Sequence, residues 1–258
     1  MRSTMLLPVA LLLAAGTARA QDNFEWKGRL ARGKTLEVRG VNGDVMAAAA
    51  SGDEASVTAV KQEGRRGDPE DVTIEVVEHA DGVTICAIYP PGRRGRDNEC
   101  HPGGSHNETR DNDTQVEFTV RVPAGVRFVG ATVNGDVRAR ALQSDADVST
   151  VNGGVDVTTT GRAEASTVNG SIDATMGVAD WTGHLDFRTV NGGITLELPA
   201  GARAEVEAET VNGQISTDFP LTVSGRFGPR RINGTIGGGG SGLSLQTVNG
   251  SIRLRKAP

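Results

Sequence analysis

The hexapeptide TVNGGI at residues 189–194 contains one copy of the motif that decides how this chain folds. The motif is Val or Ile, then Asn, Gly, any residue, and again Val or Ile, and it occurs eight times. The last seven copies follow one another at intervals of 16 to 22 residues, which is typical of a small β unit stacked on itself. The expected turn residues are Asn42, Gly43, Asn134, Gly135, Asn152, Gly153, Asn169, Gly170, Asn191, Gly192, Asn212, Gly213, Asn233, Gly234, Asn249 and Gly250.

Apolar and polar residues alternate on both sides of each Asn-Gly pair. Leu185 and Phe187 precede the pair at 191–192, and Ile194 and Leu196 follow it. A period of two residues predicts a β-strand on each side. Because the phase of the alternation breaks at Asn-Gly, we expect the chain to turn there.

Two backbones satisfy this pattern. Each Asn-Gly could form the type I′ turn of an antiparallel hairpin, or it could form a corner of a parallel β-solenoid, where Gly and Asn tolerate the left-handed conformation. A stack of hairpins gives no reason for a β-branched residue before every Asn. A solenoid does, because it places identical Thr, Val and Asn side chains in rows. We therefore predict an all-β fold, a single-chain parallel β-solenoid with an N-terminal β cap, and stacked antiparallel hairpins are the alternative.

The chain divides into three segments. Residues 1–20 have the basic start, the short apolar run and the small-residue cleavage pattern of a secretory signal peptide. Residues 21–122 predict an N-terminal β region, and residues 123–258 predict the repeat solenoid. No second apolar stretch of membrane length follows the signal. We expect an exported protein without a transmembrane segment in its mature chain, most simply periplasmic, although a secreted or surface-associated protein also fits.

Export makes the two cysteines interpretable. Cys86 ends an apolar alternation, and Cys100 lies in the long irregular loop 89–114. A single pair of cysteines in an oxidising compartment predicts one disulfide, which would stabilise the fold by about 3 kcal/mol in the chain-entropy model.

Composition and motifs exclude several kinds of chemistry. The net charge of −5 gives no electrostatic basis for binding nucleic acid. His101 and His106 match no standard zinc spacing, and no serine-hydrolase, metalloprotease or phosphate-loop motif occurs. We therefore predict no catalytic residue, no metal ligand and no cofactor.

The start of the mature chain carries a resemblance. The pattern Phe24, Trp26 and Gly28, then residues 33–38 and the first motif copy at 41–45, is similar to the start of the DUF4097 domain. With the Thr-Val-Asn-Gly repeats, residues 24–255 resemble this bacterial family of proposed adhesins, also called toastrack-like proteins. The resemblance implies a β-solenoid and a role in adhesion or at the envelope, and it supplies no catalytic residues.

Three classes of function follow. We favour a non-enzymatic, adhesin-like module that presents a repetitive β surface to an envelope or surface partner, either protein or glycan, with self-association through the end coils as a further expectation. The alternative is an envelope-stress sensor or regulator that binds a ligand through the 89–114 loop. A polysaccharide-active β-helix enzyme is less favoured, because acidic residues are scattered and only 3% of residues are aromatic.

Overall fold

A computed structural model describes residues 23–91, 97–107, 109, 111–228 and 230–257. The predicted signal peptide and part of the 89–114 loop lie outside the described residues. Strands and one short 3-10 helix, Pro69–Asp71, make up the regular structure of the described part. The predicted all-β class is confirmed.

Twenty-three strands account for almost all of the regular structure. In chain order they are β1 (Asn23–Arg29), β2 (Thr35–Arg39), β3 (Val45–Ala49), β4 (Glu54–Gln62), β5 (Thr73–His79), β6 (Gly82–Ile88), β7 (Glu99–His101), β8 (Gly104–His106), β9 (Gln115–Val122), β10 (Arg127–Ala131), β11 (Val137–Leu142), β12 (Ala146–Ser149), β13 (Val155–Thr159), β14 (Ala163–Ser166), β15 (Ile172–Met176), β16 (His184–Arg188), β17 (Ile194–Leu198), β18 (Ala204–Asn212), β19 (Ile215–Thr217), β20 (Thr222–Gly228), β21 (Arg231–Ile236), β22 (Ser241–Asn249) and β23 (Ile252–Lys256).

Two large sheets run the length of the molecule. Sheet 1 has ten strands in the order β1-β4-β9-β3-β11-β13-β15-β17-β23-β19. Sheet 2 has eleven strands in the order β5-β6-β2-β10-β12-β14-β16-β22-β18-β21-β20. A small hairpin, β7-β8, forms the third sheet.

Each Asn-Gly turn of the stack carries the chain from sheet 2 to sheet 1. For example, β10 and β11 flank the turn at 134–135, and they pair with different neighbours in different sheets, β10 with β12 and β11 with β13. These pairings are parallel. The structure is therefore solenoid-like, and it excludes the alternative of stacked antiparallel hairpins. We call each unit of a sheet 2 strand, an Asn-Gly turn and a sheet 1 strand a coil.

The order of the coils in space differs from their order in the sequence. The C-terminal coil, β22-β23, lies between coil β16-β17 and coil β18-β19, because β22 pairs with both β16 and β18. A unit stacked on itself predicts coils in sequence order, and this order is not kept in the last part of the chain. Residues 204–217 instead form the coil farthest from the N-terminal strands.

The motif at Asn233-Gly234 does not form a turn. Both residues lie inside β21, which pairs antiparallel with β18 on one side and β20 on the other. Every turn of the coils beyond the first carries a Thr two residues before its Asn, and this copy has Arg231 there. The structure thus differs from the prediction at this pair.

The N-terminal β region shares both sheets with the repeats. Strands β2 and β3 form a coil of the stack, and β6 and β9 add a further layer next to it. Strand β4 covers β9 and β5 covers β6, both in antiparallel pairing. The inward faces of these layers are buried and include Leu36, Ile85 and Phe118.

The spacing of Thr and Gly is the same in six copies of the motif for a direct structural reason. In six coils the Thr two residues before Asn is buried, and its hydroxyl donates a hydrogen bond to the Gly carbonyl of the neighbouring coil. The six Oγ1 to O distances are Thr132–Gly43 3.0 Å, Thr150–Gly135 2.8 Å, Thr167–Gly153 2.9 Å, Thr189–Gly170 2.8 Å, Thr247–Gly192 2.8 Å and Thr210–Gly250 2.8 Å. A buried hydroxyl that is hydrogen-bonded in this way ties adjacent coils together at a fixed register.

Glycine is required at the turn by close packing between coils. A Cβ atom at Gly170 would lie 1.8 Å from the carbonyl oxygen of Gly153, and one at Gly192 would lie 1.9 Å from that of Gly170. Among the turn glycines of the coils, only Gly43 and Gly135 have positive φ, and the φ of 159° at Gly135 is nearly extended. The expected left-handed corner is therefore not the general reason for glycine.

We predict that Gly170→Ala lowers the free energy of unfolding by about 3 kcal/mol, because a backbone carbonyl occupies the space that the new methyl group needs. Urea unfolding followed by circular dichroism measures the change. Gly201→Ala is the matched control, since a Cβ atom there meets nothing within 4 Å. Equal losses of stability in the two variants would contradict the packing argument.

Replacement of the buried hydroxyl tests the second contact at the turn. Thr167→Val keeps the side-chain shape and leaves the Gly153 carbonyl without its donor, so we expect a loss of about 1–2 kcal/mol in the free energy of unfolding. The control is Thr158→Val at an exposed position of β13, which should change the free energy of unfolding by no more than about 0.5 kcal/mol. The same unfolding measurement decides, and an unchanged Thr167→Val would show that the hydrogen bond does not stabilise the stack.

Candidate interaction surface

A row of exposed valines follows the outer side of the turns. The residue before Asn points to solvent in six coils, and the pairing register places these residues at equivalent positions in adjacent coils. Five of them are 38–39% exposed and the sixth, Val211, is 52% exposed: Val133, Val151, Val168, Val190, Val248 and Val211. Val41 begins the same row and is buried.

A ladder of asparagine side chains lies beside the valine row. Each side-chain amide donates from Nδ2 to the Oδ1 of the Asn in the neighbouring coil. The six distances are Asn134–Asn42 2.8 Å, Asn152–Asn134 2.8 Å, Asn169–Asn152 2.8 Å, Asn191–Asn169 2.8 Å, Asn249–Asn191 2.7 Å and Asn212–Asn249 2.8 Å. Stacked amides of this kind hold one another in a single orientation. We refer to the valine row and the asparagine ladder together as the turn ridge.

Polar side chains after the Gly stabilise the next coil. Asp44 Oδ1 accepts a hydrogen bond from the backbone N–H of Asp136 at 2.8 Å, and Asp136 Oδ1 accepts one from Gly154 at 2.7 Å. Arg138 Nη1 lies 2.6 Å from Asp44 Oδ2, and its Nη2 contacts Asp136. These hydrogen bonds and ion pairs join the first three turns to one another next to the turn ridge.

The outer face of sheet 2 carries carboxylates in adjacent strands. The register aligns Asp147 with Glu164. Burial raises the pKa of Glu164, and the nearby carboxylates of Asp147 and Asp186 raise it further. Within the described part of the chain, no group of three or more His, Cys, Asp or Glu side chains is arranged to hold a metal ion.

The 89–114 loop is attached to the first layers of the stack by the predicted disulfide. Cys86, in β6, is bonded to Cys100, in β7. Tyr89 donates from its hydroxyl to the Thr114 carbonyl at 2.6 Å, and burial raises the pKa of Tyr89 to about 12. Residues 92–96, 108 and 110 of the loop lie outside the described residues.

Glu37 connects this loop to sheet 2, and the sequence contained no signal for its role. Its carboxylate is buried and accepts hydrogen bonds from Gly103 N–H at 2.9 Å and from Thr84 Oγ1 at 2.8 Å. Burial by itself raises the pKa of Glu37, but these two donors and the positive charge of Arg39 lower it below the ordinary value. Gly103 is 66 residues away in the chain, so only the fold brings the two together.

In no described helix is there a stretch long and apolar enough to cross a membrane.

The lowered pKa of Glu37 has a definite consequence for stability. Because the folded-state pKa lies below the unfolded-state value, the ionised carboxylate stabilises the fold above the ordinary pKa of 4.5, and this contribution is lost as the pH falls through the folded pKa. We predict that Glu37→Gln costs about 1–3 kcal/mol at neutral pH and that the difference from the wild type shrinks below about pH 4.5.

Urea unfolding at a series of pH values measures this difference. Glu75→Gln, an exposed residue of β5, controls for the removal of one negative charge. A difference between Glu37→Gln and the wild type that stays constant down to pH 3 would show that the ionised carboxylate does not stabilise the loop.

A family model described as Toastrack DUF4097 matches residues 108–255, which is more than half of the chain. Among solved structures, a proposed cell adhesion protein from Clostridium sporogenes ATCC 15579 is 10% identical, with coverage of 92% of this chain and 100% of that chain and a TM-score of 0.48. A proposed adhesin from Bacteroides fragilis NCTC 9343 is 10% identical, with coverage of 92% and 98% and a TM-score of 0.24.

Neither structural likeness is close enough to carry a functional argument, and a comparison with curated proteins gives no significant match. The family model covers coils β10-β11 to β22-β23, which contain five of the six hydrogen bonds of the Asn ladder and five of the six Thr–Gly hydrogen bonds. The resemblance that the repeats predicted is thereby confirmed, and this chain belongs to the Toastrack DUF4097 family.

Proposed function

We propose that this protein is an exported, non-enzymatic, adhesin-like module that contacts a partner at the cell envelope or surface through the turn ridge. The observation that carries the proposal is the row of six exposed valines in register along one side of the stack. Contiguous exposed apolar side chains rimmed by polar groups are typical of interaction sites. Membership of a family of proposed adhesins supports the same role.

The ridge is suited to a partner with a regular repeat. The Thr-Val-Asn-Gly units place one Val and one Asn per coil at the spacing of neighbouring strands, about 4.8 Å. The asparagine ladder and the Gly packing fix these side chains before binding, which lowers the entropy cost of association. A glycan or a protein surface of matching periodicity would therefore meet a preorganised row of apolar contacts.

Export to an oxidising compartment fits the disulfide between Cys86 and Cys100. The periplasm is the compartment that we propose, and we propose that the apolar N-terminal segment acts as the signal peptide for export. The sensor alternative depends on a different surface, the disulfide-bonded loop that Glu37 holds against sheet 2. The adhesin-like function therefore requires the turn ridge, and the sensor function requires the loop.

In-cell crosslinking of a tagged full-length chain, followed by mass spectrometry, tests the ridge. The double variant Val151→Lys, Val190→Lys places two charges on the valine row and should reduce capture of the partner by about tenfold or more. The double variant Thr158→Lys, Ser216→Lys adds the same charge at exposed positions of sheet 1 and should capture the partner at the wild-type level.

Three results would count against the ridge as the contact surface. Equal capture by both double variants would contradict it, as would crosslinks between copies of this chain alone. Loss of the partner in Cys86→Ser, Cys100→Ser, with normal capture by the ridge variant, would support the sensor alternative instead.

A further inference from the structure

The eight Asn-Gly pairs are also eight sites of potential chemical change. When Asn precedes Gly, the Gly backbone nitrogen can attack the Asn side-chain Cγ, because glycine has no side chain to hinder the approach. The reaction needs a Gly N–H that is free of hydrogen bonds and an Asn side chain that can rotate toward it. The fold removes both conditions at most of the pairs.

In six coils the Gly N–H donates to the Asn carbonyl of the next coil. The six N to O distances are Gly43–Asn134 2.8 Å, Gly135–Asn152 3.0 Å, Gly153–Asn169 3.0 Å, Gly170–Asn191 3.0 Å, Gly192–Asn249 3.0 Å and Gly250–Asn212 3.1 Å. The nucleophilic nitrogen is therefore occupied, and the close packing of successive glycines prevents the turn from rearranging. Asn233-Gly234 lies in a strand that is paired on both sides, so its extended backbone is held as well.

The pair Asn212-Gly213 is the exception, because it closes the last coil of the stack. In the described part of the chain no further coil lies beyond it to accept from Gly213, whose N–H has no hydrogen bond to any described residue. The Asn212 side chain donates to Asn249 at 2.8 Å, but its own Oδ1 accepts nothing from the described part of the chain.

Two further observations show that this end is open. Val211 is 52% exposed, compared with 38–39% for the equivalent valines that have a coil on each side. Strand β21 covers β18 only from Ala204 to Glu209 and ends before the turn.

We propose that Asn212-Gly213 is a site of spontaneous deamidation in the folded protein and that the stack protects the other turn pairs. The Gly213 nitrogen loses its proton and forms a bond to Asn212 Cγ, the Cγ–Nδ2 bond breaks, and ammonia leaves with that proton. Water then opens the cyclic imide to give Asp or iso-Asp. The net change is the replacement of the amide by a carboxylate, with water consumed and ammonia released.

The modification alters the end of the turn ridge. The new carboxylate cannot donate to Asn249 Oδ1, so the last hydrogen bond of the ladder is lost. It also places a negative charge beside Val211, and iso-Asp adds one carbon to the backbone path of the turn. We therefore expect deamidation to change the last coil of the stack before it changes the others.

The experiment incubates the folded full-length chain at mildly alkaline pH and a parallel sample in concentrated urea, with peptide mapping by mass spectrometry over time. In urea all eight pairs should convert at similar rates, because their local sequences are alike. In the folded protein we expect Asn212 to convert about tenfold or more faster than Asn152, Asn169 and Asn191, since those sites react only after local opening.

Matched variants identify the site independently of peptide mapping. Isoelectric focusing of the aged wild type should show one additional acidic species, which Asn212→Ser abolishes and Asn191→Ser leaves in place. The proposal would be overturned if Asn212 deamidated as slowly as the interior pairs do in the folded protein. It would also be overturned if the interior pairs deamidated as fast in the folded protein as in urea. Both readouts are independent of partner binding, so failure here leaves the proposed function untouched.

Discussion

The close approach of successive turn glycines is the constraint on which the rest of the structure depends. With hydrogen atoms alone on Cα, the turns stack so closely that a Cβ at Gly213 would lie 1.8 Å from the Gly250 carbonyl. At that separation the carbonyl comes within reach of the buried Thr hydroxyl of the next coil, 2.8 Å away for Thr210. The same register brings the Asn amides into line, and it sets the valines in a row. A larger residue at the turn would therefore disturb all three features together.

The sequence was sufficient to predict the type of fold, because period-two flanks and a row-forming motif have few other solutions. It was not sufficient to predict the order of coils. Every coil after the first offers its neighbour the same Thr hydroxyl, Gly carbonyl and Asn amide, so local hydrogen bonding does not distinguish β22-β23 from β18-β19 as the partner of β16-β17. The long segment 218–240 connects β19 to β22, and part of it forms β20 and β21 beyond the last coil.

The residue two positions before Asn contains part of the information on how the coils are arranged. Thr is absent two residues before Asn at only two copies, where Gly40 and Arg231 stand instead. At the first, residues 89–114, which connect β6 to β9 in the preceding layer, contain no Asn-Gly pair. At the second, the copy is not a turn at all. The Thr therefore marks the coils that lie on another Asn-Gly turn. By contrast, the contact between Glu37 and Gly103 joins distant segments without any repeated pattern, and no local signal could have predicted it.

The edges of the two sheets are poorly suited to pairing with a second molecule. Strands β1, β5 and β20 close three of the four sheet edges with antiparallel pairing, and β1 and β5 carry charged side chains, which disfavour pairing with a second molecule. The fourth edge is β19, which is three residues long. In the turn ridge, in contrast, the asparagine ladder extends without interruption over seven coils, and the exposed valine row extends over six of them. Its length multiplies weak contacts of one Val and one Asn per coil, so affinity for a periodic partner would depend on how many coils remain in register rather than on any single residue.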